Sequence, residues 1–144
     1  MNIDKERLLT HLYDVKRNAL DLEKTFSARD DAAILADDVL LKAIKYVLIE
    51  TAEAVANALQ HVLAKGLGTP VSGYLDTLAH ARSAGVISEE LFLSLKPFFE
   101  FRNALIHRYW TMDDALIVRN ARQGHGDFMA FIEAVEKFTG IGGT

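Results

Sequence analysis

Residues 31–65 run DAAILADDVLLKAIKYVLIETAEAVANALQHVLAK. Ile34, Leu41, Ile44, Leu48, Val55, Leu59 and Val62 recur there at near-heptad steps. Apolar side chains spaced three and four apart line one face of an α-helix, whereas a half-buried strand needs alternation of period two, and that alternation is missing throughout the chain. The stretch is predicted as one long helix. So regular a stripe implies coiled-coil-like packing, within a bundle or across a dimer. Alanines at 43, 52, 54, 56 and 58 would let a packed element come close. Gly66-Leu67-Gly68-Thr69-Pro70 ends the helix, because glycine makes a C-cap and proline cannot continue it.

Working outward, an earlier helix is expected over about Asp4–Lys24, with Leu8, Leu9, Leu12, Val15, Leu20 and Leu22 as its apolar positions. Ser27-Ala28-Arg29-Asp30 reads as a break, with Asp30 or Asp31 able to cap the long helix. A short third helix is expected over about Gly73–Ser83, closed by Gly85. Ser88-Glu89-Glu90 opens a fourth, which carries Leu91, Leu95, Phe98, Phe99, Arg102, Ile106 and Tyr109. Asp113 is placed to cap a fifth that includes Ala115–Arg122. Gln123-Gly124-His125-Gly126 interrupts its pattern before Phe128, Phe131, Ile132, Val135 and Phe138 resume it. Two glycines inside a helix cost roughly 2 kcal/mol, so a break or distortion is expected there. The expectation is an all-α bundle of four to five helices with a long second helix. It forms a single domain over residues 1–144, frayed at 1–3 and 140–144.

Half of the 144 residues are hydrophobic and a quarter are charged, which suits one globular domain with a real core. The chain has no cysteine, so disulfides and thiolate metal sites are excluded and a reducing cytoplasm is the natural home. The first residues, Met1-Asn2-Ile3-Asp4-Lys5-Glu6, contain no apolar run of signal-peptide type, and no stretch approaches roughly 18 uncharged apolar residues. A cytoplasmic protein with no membrane partner is expected. The net charge of −4 argues against a protein that binds nucleic acid mainly by counterion release. Between Lys96 and His125, however, five basic residues face three acidic ones, leaving −6 for the rest of the chain. A locally basic patch on an acidic body suits a site that handles a few phosphates.

That patch contains Arg102-Asn103-Ala104-Leu105-Ile106-His107-Arg108-Tyr109. At 100° per residue, Ile106 and Tyr109 each lie within roughly 40° of Arg102, on the side of Phe98 and Phe99. Asn103 and His107 are four apart, so the amide can meet the imidazole and fix its orientation. Arg102 and His107 point roughly 140° apart on an ideal helix. The two groups meet only if the helix ends or distorts, or if a second copy shares the site. Phosphodiester cleavage without a metal calls for such groups. An imidazole near its working pKa can take a proton from a ribose 2′-hydroxyl or return one to the leaving oxygen. A guanidinium supplies permanent forked charge for the phosphorane oxygens. A two-fold dimer would bring two of each to one cleft.

The segment resembles the Arg-Asn-X-X-X-His-X-Tyr motif of the HepT-like branch of the HEPN superfamily, at Arg102, Asn103, His107 and Tyr109 without departure. The surroundings are similar too: a long second helix containing Glu50, then Gly73-Tyr74-Leu75-Asp76, then Gly85-Val86-Ile87 leading into the motif helix. The resemblance covers about residues 30–138. It implies a HEPN-type helical bundle, a homodimer whose Arg102 and His107 form an endoribonuclease site at the subunit interface. No cofactor and no metal is implied. It also implies a toxin paired with a minimal nucleotidyltransferase antitoxin of the MNT type, which transfers AMP from ATP onto Tyr109. Added phosphate beside Arg102 would occupy the place of the RNA phosphate. Asn103 enters as a support for His107, and Glu50 as a partner for Arg102.

Blander readings stand beside these. Tyr109-Trp110 could simply anchor the helix end. His11, His61, His80 and His125 have no metal-like spacing, so solvated or capping roles are expected for them. Phe98, Phe99 and Phe101 read as core or dimer seam ahead of a base-stacking platform. The glycines at 140, 142 and 143 are a tail and not a phosphate loop, having neither a lysine nor a following helix. The competing function is a non-catalytic substrate-binding or scaffold subunit of a nucleotidyltransferase complex.

Overall fold

The structure, a computed structural model, describes residues 1–108 and 113–142; for residues 105–108 it describes the helical backbone alone. The described residues form seven α-helices and no strand: α1 Lys5–Ala28, α2 Asp31–Leu35, α3 Asp38–His61, α4 Tyr74–Ser83, α5 Glu89–Arg108, α6 Asp114–Gly124 and α7 Asp127–Thr139. Short polar side chains set most of the starts. Asp4, Asp30, Asp37 and Asp113 each accept a hydrogen bond from the backbone N–H three residues on, and Ser88 does the same at the head of α5. Each of these bonds satisfies a donor that the first helical turn leaves open, typically stabilising the helix by about 1 kcal/mol.

The long helix expected from Asp31 is interrupted. Ala36 and Asp37 separate the five-residue α2 from α3, and Asp37 leaves helical geometry to cap Leu40. The apolar stripe nevertheless runs across the break, and all seven of its members are buried. Beyond His61 the chain widens into a π-turn, Val62–Gly66. Asn2 donates its N–H to the Lys65 carbonyl, and Ile3 packs, half-buried, beside Gly66.

The helices surround one continuous core. α1 lies along α3 and also meets α7, α4 is held between α3 and α5, and α2 docks on α6. Phe99, Phe128 and Phe131 are the largest fully buried side chains. The bundle side of the alternative left open for the α3 stripe is therefore filled within one chain. Among the described residues no helix is long and apolar enough to cross a membrane.

The break expected at the two glycines is present as the joint between α6 and α7. A close approach requires glycine at 124: a Cβ there would stand 2.9 Å from Phe98 Cζ, and Phe98 is itself wedged against Phe128 at 4.8 Å between ring centroids. α5 carries Pro97 in its interior, one turn before Arg102. Proline lacks the N–H that would bond the carbonyl four residues back. That carbonyl belongs to Leu93, which is exposed, so water can satisfy it.

Candidate functional site

Arg102 projects from α5 into the corner where α3, α4 and α5 converge. Its Cζ sits 4.1 Å from the centroid of the Tyr74 ring, and Tyr74 in turn stacks on Phe99 at 6.2 Å and 24°. Tyr74 can stand there because Gly73 precedes it at φ 83°, ψ 173°, a conformation essentially restricted to glycine. A guanidinium lying on an aromatic face is attracted by the ring's quadrupole and loses rotational freedom. The second constraint is Glu53, whose Oε1 lies 3.5 Å from an Arg102 terminal nitrogen.

The guanidinium is far from saturated. Only 19% of the side chain is exposed, yet among the described residues its buried Nε has no hydrogen-bond partner. Arginine presents five N–H donors, and a buried donor left open costs about 1–3 kcal/mol. A fixed, half-buried cation whose donors are not all used has the chemistry to receive an anion. A planar fork of this kind matches phosphate oxygens two at a time.

The carboxylate that meets Arg102 is Glu53, not Glu50. Glu50 sits one turn earlier on the same face of α3 and is occupied on its other side. It accepts a hydrogen bond from the Asn18 amide at 3.0 Å and pairs with Arg17 at 3.6 Å. It also accepts from the exposed Tyr46 phenol, and that bond pushes the Tyr46 pKa up from its usual value. Glu53 carried no motif signal. Its i+3 relation to Glu50 was visible, but which of the two reaches Arg102 depends on how far α3 slides along α5, and periodicity does not fix that. Tyr74 lay within the quoted Gly73–Asp76 landmark without a role.

Asn103 is half-buried next to Arg102. His107 belongs to the last turn of α5, four residues beyond Asn103, and its side chain lies outside the described residues. Tyr109 lies outside them altogether. Downstream, buried Lys45 on α3 bonds Asp114 at 2.6 Å, pinning the first turn of α6. On another side of α5 an apolar cleft of about 260 Å³ opens between Leu48, Phe101, Ala104 and Leu116. It offers little for ionic chemistry, so the Arg102 corner is taken as the site.

Three of the remaining histidines have local duties. His61 Nε2 accepts the N–H of Asp4 at 2.9 Å, and His80 Nδ1 stands 2.9 Å from the Asp76 carbonyl. His125 packs on Phe26 at 5.2 Å, and burial there lowers its pKa.

A family model described as ribonuclease HepT-like matches residues 15–135. No curated protein matches the chain. Among solved structures, the fold resembles a tri-AMPylated Shewanella oneidensis HEPN toxin in complex with its MNT antitoxin. The TM-score is 0.81 at 18% identity, over 93% of this chain and 99% of that one. It also resembles a toxin–antitoxin structure with AMP-PNP (TM-score 0.78, 18% identity, 92% and 98% covered). A third likeness is to YutE, a cytosolic protein of unknown function from Bacillus subtilis (TM-score 0.83, 14% identity, 99% and 96% covered). At such identities the structures speak for the fold alone, whereas the family model spans most of the sequence and contains Arg102, Asn103, His107 and Tyr109. This chain belongs to the HepT-like family of the HEPN superfamily.

Proposed function

We propose that this protein is a metal-independent endoribonuclease and the toxin of a toxin–antitoxin pair, with Arg102 and His107 as its catalytic residues. The observation that carries the reading is the state of Arg102. It is held on Tyr74 and beside Glu53, with a buried donor left open, as a group awaiting an anion would be.

His107 removes the proton from a ribose 2′-hydroxyl, and the freed oxygen attacks the adjacent phosphorus. Arg102 bonds the phosphorane oxygens as charge builds on them. The bond to the 5′-oxygen then breaks, and a protonated imidazole returns a proton to it. The products carry a 2′,3′-cyclic phosphate and a 5′-hydroxyl. Base and acid act at the same linkage, and one helix turns Arg102 and His107 roughly 140° apart. Two copies of the chain around a two-fold axis supply both groups to one cleft, so the active form is a homodimer. Asn103 supports His107 from the preceding turn.

A minimal nucleotidyltransferase partner silences the toxin. The Tyr109 hydroxyl attacks the α-phosphorus of ATP, pyrophosphate leaves, and the attached AMP places negative charge against Arg102. An AMP-carrying relative in complex with its antitoxin supports this part of the reading. The substrate and the partner place the protein in the cytoplasm.

Purified protein incubated with RNA and a chelator tests the proposal. Cleavage persists with the chelator, leaves cyclic phosphate ends, and is lost in Arg102→Ala and His107→Ala. A wild type that binds RNA or the nucleotidyltransferase and cuts nothing is instead the non-catalytic subunit. Intact-mass measurement after coexpression tests Tyr109, since adducts that survive Tyr109→Phe place the modification elsewhere.

A further inference from the structure

We infer that the cleft between α1 and the end of α3, lined by Arg7, His11, Asn57, Gln60, His61 and Lys65, is a second phosphate-binding subsite. It would hold the RNA strand a short distance from the cleavage point. The inference rests on the ribonuclease reading and adds to it a place for the flanking backbone.

The first support is alignment. Glu53, Asn57 and Gln60 recur at four- and three-residue steps, so they form one face of α3. Arg102 meets that face at Glu53. From Glu53 to Gln60 the helix rises roughly 10 Å at about 1.5 Å per residue, so the cleft begins where the Arg102 corner ends. Gln60 also bonds Thr77 on α4, the helix that carries Tyr74. The corner and the cleft thus share a wall.

The second is charge. No acidic residue is among those lining this cleft of about 460 Å³; the carboxylates close by are Asp4, which caps α1 beside Arg7 and His61, and Asp14, which acts on His11. The clefts along α7, by contrast, are edged by Glu133 and Glu136. Arg7 and Lys65 are exposed, and neither pairs with a carboxylate of the described residues. Two cations on one concave wall, in a protein of net charge −4, attract an anion of one or two charges.

The third is donor count. His61 Nε2 accepts the Asp4 N–H, so in the neutral ring the proton sits on Nδ1 and that nitrogen is a donor. The exposed Asn57 amide adds two more, beside the Arg7 guanidinium and the Lys65 ammonium. Such a set suits the non-bridging oxygens of a phosphodiester and reads no base, so the subsite adds affinity and register without sequence preference.

The test uses a fluorescein-labelled 2′-O-methyl oligonucleotide, whose blocked 2′-oxygen prevents cleavage. Binding is followed over a salt series for wild type, an Arg7→Gln/Lys65→Gln variant, and a Lys16→Gln/Lys137→Gln control of equal charge. For single strands the slope of log affinity against log salt is about −0.7 per phosphate contact. The Arg7/Lys65 variant should bind roughly ten-fold more weakly at low salt and lose about 1.4 from the slope, while the control matches wild type. An unchanged slope, or an equal loss in the control, overturns the subsite. So does a wild type that does not hold the oligonucleotide at low salt. If the double variant does not fold, side-chain NMR of wild type decides: the oligonucleotide shifts the Asn57 amide and His61 ring signals, and their constancy overturns the proposal. Cleavage that still depends on Arg102 while the subsite test fails removes the subsite alone. Loss of that dependence removes the ribonuclease reading itself.

Discussion

Two arginines in this molecule are built alike and finished differently. Arg122 on α6 lies over the Phe26 ring at 4.9 Å and beside Asp31, as Arg102 lies over Tyr74 and beside Glu53. Arg122 then spends its donors. Nε bonds Asp31 at 2.5 Å, one terminal nitrogen bonds the Phe26 carbonyl at 2.8 Å, and the other bonds the Arg29 carbonyl. Those carbonyls lie at the end of α1, where a helix has acceptors to spare and favours a positive charge. Arg102 is the more buried of the two, with 19% of its side chain exposed against 32%, and it is the less satisfied. Burial alone would rank them the wrong way round. Unused hydrogen-bonding capacity, and not burial, is what separates Arg102 from Arg122, and it is the feature on which the proposed role of Arg102 rests.

The sharpest way to break the comparison is to delete each side chain in turn. Arg102→Ala should lower RNA cleavage at least about 100-fold, the usual cost of removing a donor aimed at transition-state charge. Its melting temperature should stay close to wild type, because Glu53 is already 43% exposed and water can take over the lost pair. Arg122→Ala should do the reverse. Three donors vanish from the α1–α2–α6 corner, stability falls by about 2–3 kcal/mol, and the midpoint drops on the order of 10 °C. Cleavage at a temperature where that variant is folded should match wild type. Thermal melts and a cleavage assay on the same preparations decide it. If both variants lose both properties, the two arginines do not differ in kind.

Within the Arg102 corner the comparison can be refined. Tyr74→Ala should lower kcat by roughly ten-fold while Tyr74→Phe keeps it, because ring and not hydroxyl holds the guanidinium. On the ribonuclease reading, Glu53→Gln removes a carboxylate that would compete with RNA phosphate for Arg102. RNA should then bind several-fold tighter, with KM falling more than kcat. A raised KM would make Glu53 a contact to substrate and not a competitor.

How much of this was legible depends on the range of the interaction that writes it. The seven-residue stripe from Ile34 to Val62 is a local pattern, and every member is buried as expected. The α6–α7 joint was equally legible, since two glycines leave their mark in the chain itself. The break at Asp37 was hidden because Ile34 and Leu41 keep heptad spacing across it, and only the cap to Leu40 reveals the turn. The site followed the same rule. The motif gave Arg102, Asn103, His107 and Tyr109 as a contiguous string. The pairing of Arg102 with Glu53 instead of Glu50, and its stacking on Tyr74, come from the offset of α3 and α4 against α5, which no single segment records.

The smallest expected effect belongs to the Arg122 corner and gives it a pH signature of its own. His125 lies against Phe26 next to the Arg122 clamp, and burial holds its pKa below the ordinary 6.5, with Arg122 adding to the shift and Glu23 and Asp127 opposing it. A group whose folded pKa is depressed resists protonation in the fold. Below about pH 6.5 the unfolded chain therefore takes up a proton that the folded chain refuses. Stability is whole above that pH and is lost as the pH falls from 6.5 towards the folded value, with no further loss beneath it. Urea midpoints measured at pH 7.5 and at about pH 5 should thus converge in His125→Gln relative to wild type. His11, also held low by burial, sits far from this corner on α1 and leaves a residual slope in the variant. A variant that keeps the full wild-type slope would assign the effect to His11 and leave the Arg122 clamp indifferent to acid.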